Sequence, residues 1–408
     1  MSSWSGRRKA LIVLLFVGPT ILGILVFNVY PIIYNTYISF TNRNQFHPNP
    51  DCSVGLTGII EPNCWPVFKN RAGKGVGQPF VLQKPIFGNY GDLLGKLFTG
   101  QGLLSLLIVI VSLAPFYAAN RLNKYYDRQI ERPIGSIWIW LGAAALAVAL
   151  GLLINFRSAI DALQQSGDFF VVVFRTILFV ILTIPINYVF GLALALVLNS
   201  DHIKMRTFFR AVMIIPWAAS TMFIIMSLIW QFFFRSQGTV NQLLLQLFRI
   251  QGPAWLNNPT FAFAIILLVN LWFSFPFAFN IILGALQSVP ADQYEAAEMD
   301  GATYWQQLTS ITLPLIRPAM LPAIVLSAIG AGGFQMFGTV WAITQGGPSR
   351  GAGAPGATEL VMVYAYKQVF QSNAYAKAGA FAVIIFIFLF VATLYSLRMT
   401  RLTKGAYE

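Results

Sequence analysis

Asn270, Phe273, Ser274 and Phe277 stand at i, i+3, i+4 and i+7 in the apolar run 260–286, so a helix there would place all four on one face. An amide, a hydroxyl and two aromatic rings perform no covalent chemistry, but they bind. Such a face suits a sugar, whose hydroxyls need hydrogen-bond partners and whose C–H faces stack on rings. A second run, 318–344, carries Ser327, Gly330, Ala331 and Phe334 in the same way, with Gln335 alongside. Trp217 and Thr221 are i, i+4 partners in a third run, 211–233. The alternative is that these groups tie helices together, each hydrogen bond contributing ~0.6 kcal/mol, with Gly330 and Ala331 allowing close packing. Spacing alone does not choose between the two. Gly332 and Gly333 are read as packing glycines.

Nothing in the chain resembles a catalytic constellation. His47 and His202 are the only histidines and both fall outside the apolar runs, and no Ser/His/Asp, Cys/His or paired-carboxylate arrangement is present. Cys52 and Cys64 share one hydrophilic stretch without a nearby histidine or second CxxC pair, so a metal site has little support, while a disulfide and two free thiols both remain open. The glycines of 73–77 lack the Gly-Lys-Ser/Thr ending and the strand-to-helix context of a phosphate loop. Past Lys377 at the edge of the last run, no Asp, Glu, Lys, Arg or His lies within an apolar run. Each such charge would cost ~2.5–3.5 kcal/mol and would mark ion or proton coupling. Proton- or sodium-driven mechanisms are thereby disfavoured.

These faces need helices in a membrane to position them. The chain is 57% hydrophobic and 10% charged, against ~25% charged for ordinary soluble domains. It reads as an all-α integral membrane protein. Its net charge of +13 is scattered in short clusters between apolar runs, as expected of loops facing an anionic leaflet, and nucleic-acid binding is disfavoured on that ground.

Arg7, Arg8 and Lys9 precede a run from Ala10 to Tyr30 that is too long for a signal segment, and the helix is predicted to continue to Phe40. Residues 1–40 thus form a tail and first span, and 41–101 an outer loop rich in Pro, Gly and Asn, with a short helix near Tyr90–Leu94. Runs 102–120 and 136–156, separated by Arg121, Lys124, Arg128 and Arg132, predict a hairpin within 102–168 whose turn faces inside. The runs 176–198, 211–233, 260–286, 318–344 and 377–397 follow, each near the ~20 residues that cross a ~30 Å hydrocarbon core. The expectation is eight transmembrane helices with both termini inside, supported by Lys204, Arg206 and Arg210 in one short turn and by Arg398, Arg401 and Lys404 after the last run. Residues 240–248 suit a short helix that either lies in the interface or packs onto the spans.

Between the sixth and seventh runs lies the polar island Glu295-Ala296-Ala297-Glu298-Met299-Asp300-Gly301-Ala302, followed by Ile311-Thr312-Leu313-Pro314. Read locally, Asp292 is an N-cap, Glu295 completes a capping box, Gly301 makes a bend and Pro314 stops the next helix. Capping alone would assign Glu295 about 1 kcal/mol. The spacing from Glu295 to Pro314 resembles the cytoplasmic EAA loop in the membrane subunits of binding-protein-dependent ABC importers. Over about 10–40 and 170–408 the chain resembles the larger permease subunit of maltose and trehalose importers.

That resemblance implies a type I ABC importer permease core over 169–408, with the 102–156 hairpin an insertion and 287–317 a coupling loop. Glu295, Ala296, Ala297, Asp300, Gly301, Leu313 and Pro314 would dock into a cleft on a separate ATPase subunit. It implies a second permease, an ATP-binding dimer and an extracytoplasmic sugar-binding protein as partners, in a bacterial or archaeal cytoplasmic membrane with its lipid. No cofactor is expected on this chain, ATP and Mg belonging to the partner ATPases. By the same resemblance, Asn270, Phe273, Ser274, Phe277, Ser327, Gly330 and Ala331 fall where the maltose subunit lines its sugar site. Asn270 and Ser327 keep the residue type there, while Gly330 and Ala331 replace larger ones. Thr344–Pro348 resembles the outer turn on which the binding protein sits. Two alternatives remain: a permease for glycerol phosphate or a polyamine, which would favour charges in the cavity, and a stand-alone channel or carrier, which would leave the loop without a role.

Overall fold

The computed structural model describes residues 6–68, 77–95, 100–126, 136–154, 158–159, 168–200, 203–218, 222–330, 332–351 and 354–400. Thr221 and Ala331 lie outside the described residues, as does the turn of the hairpin with Arg128 and Arg132. The chain divides into two units, residues 1–95 with 365–390 and residues 96–364 with 391–408.

In the first unit, α1 (Gly6–Ile24) runs through a π-turn (Leu25–Val29) into α2 (Tyr30–Ser39). The predicted continuation of the first span is thus a single helical path. The wide turn sits directly before Pro31, whose ring would otherwise clash with the carbonyl four residues back, inside that turn. Beyond it lies the loop, whose described residues form several short elements. It holds α3 (Gly55–Ile60), a two-residue parallel pairing of β1 (Asn49–Pro50) with β2 (Pro79–Phe80), and α4 (Gly88–Leu94), which covers the short helix expected near Tyr90. Cys52 and Cys64 are joined in a disulfide, which resolves that alternative. Arg43 pairs with buried Glu61 at 3.7 Å and lies over the Phe80 ring at 4.9 Å.

The second unit opens with α5 (Gly100–Tyr126) and α6 (Ser136–Leu153), which pack against each other with Phe116 stacked on Trp140. Next come α7 (Asp168–Asn199), α8 (Arg206–Ala218), α9 (Phe223–Phe233), α10 (Thr239–Phe248) and α11 (Pro259–Gln287). Helices α7 and α11 form the core of this unit, burying Ala195, Phe279 and Ile282 completely. They cross so closely that a Cβ on Gly191 would sit 2.9 Å from the Phe279 amide nitrogen. Asn258 caps α11, its Oδ1 accepting from the Thr260 and Phe261 amides at 2.9 and 3.2 Å.

Three expectations are corrected here. The run 211–233 is not one straight span: α8 and α9 are separate helices bent by 94°, with Pro216 two residues before the end of α8. The run 318–344 is also broken. Helix α12 (Asp292–Met299) is followed by α13 (Tyr304–Gln307), a second π-turn (Leu308–Thr312) and α14 (Leu313–Ile329), after which the chain leaves the helix before α15 (Gly338–Thr344). The break falls where Gly330, Gly332 and Gly333 cluster: the Phe334 amide turns back to the Ala328 carbonyl at 2.8 Å, and a Cβ on Gly333 would lie 2.3 Å from that oxygen. Finally, Pro314 does not stop a helix. As at Pro31, the carbonyl four residues back lies in a π-turn, and the helical path passes through from Tyr304 to Ile329.

Helices α16 (Val361–Phe370) and α17 (Tyr375–Thr400) complete the chain. Among the described residues, five helical paths are long and apolar enough to span a membrane, Ile12–Ser39, Asp168–Asn199, Pro259–Gln287, Tyr304–Ile329 and Tyr375–Leu394, and the bent α8–α9 pair makes a sixth. The eight-span reading adds the α5–α6 hairpin to these.

Candidate functional site: a charge-free cavity and a bent loop

Six stretches of the second unit converge on a cavity of about 600 Å³. From α11 come Asn270, Phe273, Ser274, Phe277 and Ala278; from α14 and the break after it, Leu326, Ser327, Gly330, Gly332, Gln335, Met336 and Phe337; from α15, Gly338 and Thr339. Trp217 of α8, Phe223 of α9, and Asn187 and Tyr188 of α7 complete the lining. The helical spacing of the α11 face therefore holds, and the structure brings Trp217, Asn270, Phe273, Ser274, Phe277, Ser327 and Gly330 together. Phe334 does not join them. It is buried off the wall, because the break after Ile329 ends the helical register that related it to Ser327.

Asn187 and Tyr188 escaped notice in the sequence because nothing in their own run distinguishes a wall residue from a helix contact. Their partners lie 83 and 139 residues away. The Asn187 Nδ2 donates to Asn270 Oδ1 at 3.4 Å, the Tyr188 hydroxyl shares a hydrogen bond of 3.2 Å with Ser327 Oγ, and Asn270 Nδ2 donates to the Gly332 carbonyl at 3.2 Å. Asn270 is 1% exposed, so it pins the glycine break to α11 as well as facing the cavity. Asn187 Oδ1 is buried without a partner among the described residues. Trp217 is 46% exposed and lies 6.4 Å from Phe277 between ring centroids, while Phe223 meets Phe273 edge-on at 6.4 Å. The lining residues include no Asp, Glu, Lys, Arg or His. The wall offers amides, hydroxyls and ring faces, groups whose chemistry suits hydrogen bonding and stacking.

The polar island forms a second candidate site. Asp292 is the first residue of α12 and not its cap; Ala291 occupies the cap position without a side-chain bond, so the expected capping box with Glu295 is absent. A capping box stands instead at the start of α13, between Thr303 and Gln306. Helix α12 ends in a Schellman turn, the Ala302 amide donating to the Ala297 carbonyl at 2.9 Å and the Gly301 amide to the Glu298 carbonyl at 3.0 Å. Gly301 takes φ +75°, a conformation that costs other residues roughly 1–2 kcal/mol. This is the bend expected from the sequence. Tyr294 ties α12 back through its hydroxyl to Thr312 Oγ1 at 3.0 Å, while Glu295, Ala296, Asp300, Gly301 and Pro314 are exposed and Ala297 and Leu313 are half-buried. Met299, Tyr304 and Trp305 flank the bend at 89, 61 and 70% exposure, an apolar surface beside exposed carboxylates.

The turn after α15 is also held from within. Thr358 Oγ1 donates to the Gly347 carbonyl at 2.5 Å, and Thr176 Oγ1 accepts from the Val361 amide at 3.0 Å. Arg175, buried at 7% exposure, donates to the Gly356 carbonyl. Arg175 lay just outside the run beginning at 176; α7 starts eight residues earlier and includes it.

Fold and site together define a multi-pass integral membrane protein with an uncharged binding cavity. Residues 187–405 match the family of binding-protein-dependent transport system inner membrane components, and the chain belongs to that family. The matched stretch contains the whole cavity wall and the bent loop. The chain is similar to the maltose/maltodextrin transport system permease protein MalF of Vibrio vulnificus, 34% identical over 235 residues, 56% of this chain and 44% of that protein. It is 30% identical to the galactooligosaccharides transport system permease protein GanP of Bacillus subtilis over 238 residues, 58% of this chain and 56% of the relative. With the trehalose/maltose permease MalF of Thermococcus litoralis it shares 28% identity over 271 residues, 66% of this chain and 88% of that one. The match thus spans less than half the length of the Vibrio relative. Among solved structures, a bacterial ABC transporter involved in import of the acidic polysaccharide alginate aligns over 70% of this chain and 100% of its own, with a TM-score of 0.50 and 22% identity, a likeness of fold.

Proposed function

We propose that this chain is the transmembrane permease subunit of an ATP-driven importer of a neutral di- or oligosaccharide. The observation that carries the reading is the cavity: about 600 Å³ walled by rings, amides and hydroxyls with no charge. Aromatic faces suit the C–H faces of a sugar ring. The unpartnered Asn187 Oδ1 offers a sugar hydroxyl an acceptor whose burial is otherwise uncompensated. The names of the relatives, which refer to maltodextrin, galactooligosaccharide and trehalose, support the same class of solute.

On this reading the second permease completes the path, an ATP-binding dimer carries ATP and Mg, and a sugar-binding protein delivers the solute to the outer face of a bacterial or archaeal inner membrane. Both termini and the α12 loop face the cytoplasm. The exposed face of Glu295, Asp300, Met299 and Trp305 around Gly301 enters the ATPase cleft. This subunit performs no hydrolysis itself. Glycerol phosphate and polyamines fit less well, since a charged solute would meet no counter-charge on the wall and would lose hydration without compensation.

The test is reconstitution of the chain with its partner subunits and binding protein, followed by a screen of neutral sugars, glycerol phosphate and polyamines for stimulated ATP hydrolysis and uptake. Stimulation by a neutral sugar is expected. Stimulation by a charged solute alone, or uptake by this chain without an ATPase, would refute the proposal.

A further inference from the structure

The helical path Ile12–Ser39 covers 28 residues, about 42 Å at 1.5 Å per residue against a ~30 Å hydrocarbon core. Its last turns, from around Tyr30 onward, therefore rise through the interfacial layer. On those turns Tyr30, Tyr34 and Tyr37 stand at i, i+4 and i+7, and each holds the segment around α3. The Tyr30 hydroxyl donates to the Ile60 carbonyl at 3.1 Å, the Tyr34 hydroxyl to Glu61 Oε2 at 2.9 Å, and the Tyr37 hydroxyl shares a hydrogen bond of 2.5 Å with Thr57 Oγ1. Because Thr57 meets Tyr37 and Ile60 meets Tyr30, the segment does not stand away from the span. It descends alongside it, so that Ile60 lies level with a residue roughly 13 Å below Ser39.

The exposed side chains of this segment are mostly apolar, Ser53 and Asn63 being the polar exceptions. Leu56, Ile59, Trp65, Val67 and Phe68 are 53, 73, 40, 84 and 41% exposed. The Cys52–Cys64 disulfide closes the loop, and Trp65 Nε1 donates to the Ile59 carbonyl at 2.9 Å, which fixes the indole beside α3. From Cys52 through Phe68 the one charged residue is Glu61, turned inward at 2% exposure toward Tyr34 and Arg43. In the sequence, charge returns on both sides of this window, at Asp51 before it and at Lys69 and Arg71 after it; the Asp51 carboxyl is held below its ordinary value by hydrogen bonds from the Ser53 hydroxyl and amide.

We propose that the disulfide-closed segment 52–68 is an interfacial membrane anchor, its apolar face seated at the boundary of headgroups and acyl chains in the leaflet at the Ser39 end of the first span. The occupant of that face is lipid. Its depth along the span matches the interface, it turns no charge outward, and it presents a tryptophan among aliphatic side chains in the layer where aromatic belts lie. The inference rests on the chain being an integral membrane protein and not on what it transports.

Ile59→Cys and Val67→Cys, each carrying a nitroxide, test it in the full chain reconstituted with its partner subunits in liposomes, with the native disulfide verified by mass spectrometry. Both side chains are exposed, so neither change disturbs packing. Collisions with molecular oxygen, which partitions into lipid, are expected to exceed those with an aqueous nickel chelate several-fold at both positions. A nickel collision rate equal to or above that for oxygen would mean that the face meets water. Suppression of both rates would mean that protein covers it. Either result overturns the proposal.

Discussion

The cavity wall and the α12 loop belong to one half of the chain and treat their polar groups in opposite ways. Around the cavity, hydrogen-bonding side chains turn to one another: Asn187 to Asn270, Tyr188 to Ser327, Asn270 to the glycine break. On the loop, the backbone is closed by its Schellman turn while Glu295 and Asp300 remain in solvent. Apart from Asn187 Oδ1, which has no partner among the described residues, these cavity groups are already hydrogen-bonded, whereas a partner docking on the loop need break none. On the proposed function, selectivity would rest on shape and hydrogen bonding in the cavity, and coupling on a bend presented outward.

The largest change should come from the loop. Proline at Gly301 cannot take φ +75° and has no amide to donate to Glu298, a cost of roughly 3 kcal/mol or more, so Gly301→Pro is expected to lower uptake at least ~100-fold. Membrane insertion should persist while ATP hydrolysis proceeds without transport, and Glu295→Lys should behave likewise; normal uptake by both would remove the coupling role. Next is Asn270→Leu, which unpairs the buried Gly332 carbonyl and Asn187 amide at ~1–3 kcal/mol each. Transport should be lost with the complex still assembled, and unchanged uptake kinetics would assign Asn270 to helix contact alone.

Trp217→Ala removes a half-exposed ring from the wall, and the expected effect is a rise in KM for the solute of about tenfold with the maximal rate little altered. A change confined to the maximal rate would show that Trp217 serves the α8–α9 bend and not binding. The smallest effect is expected for Tyr188→Phe, which removes one hydrogen bond between α7 and α14 worth ~1 kcal/mol, a change of about fivefold in uptake at limiting sugar. If Tyr188→Phe exceeded Asn270→Leu, the ranking of pinned over exchangeable groups would be wrong.

Much of this was legible in the residues themselves. The α11 face follows from helical periodicity, the Gly301 bend from glycine's access to positive φ, and the family from spaced residue types between Glu295 and Pro314. Other features were hidden for definite reasons. Pro314 reads as a helix stop, yet a π-turn before it accepts the ring, as another does at Pro31. Apolar content alone cannot distinguish 318–344 as a broken path from 260–286 as a straight one, since the difference lies in whether the backbone can approach itself at Gly333. Helical spacing puts Phe334 on the wall, but that period ends five residues earlier, at Ile329.

Local chemistry therefore determined what kind of groups this protein could use: uncharged amides, hydroxyls and rings on membrane helices, and a bent polar loop between two of them. Tertiary structure alone decided which of those groups meet. Asn187 and Tyr188 complete the cavity because α7 crosses α11 at the closeness Gly191 permits, and α3 lies along the first span because three tyrosines reach it from successive turns. Periodicity acts within one turn or two, whereas these partners are brought together by packing between segments far apart in the chain.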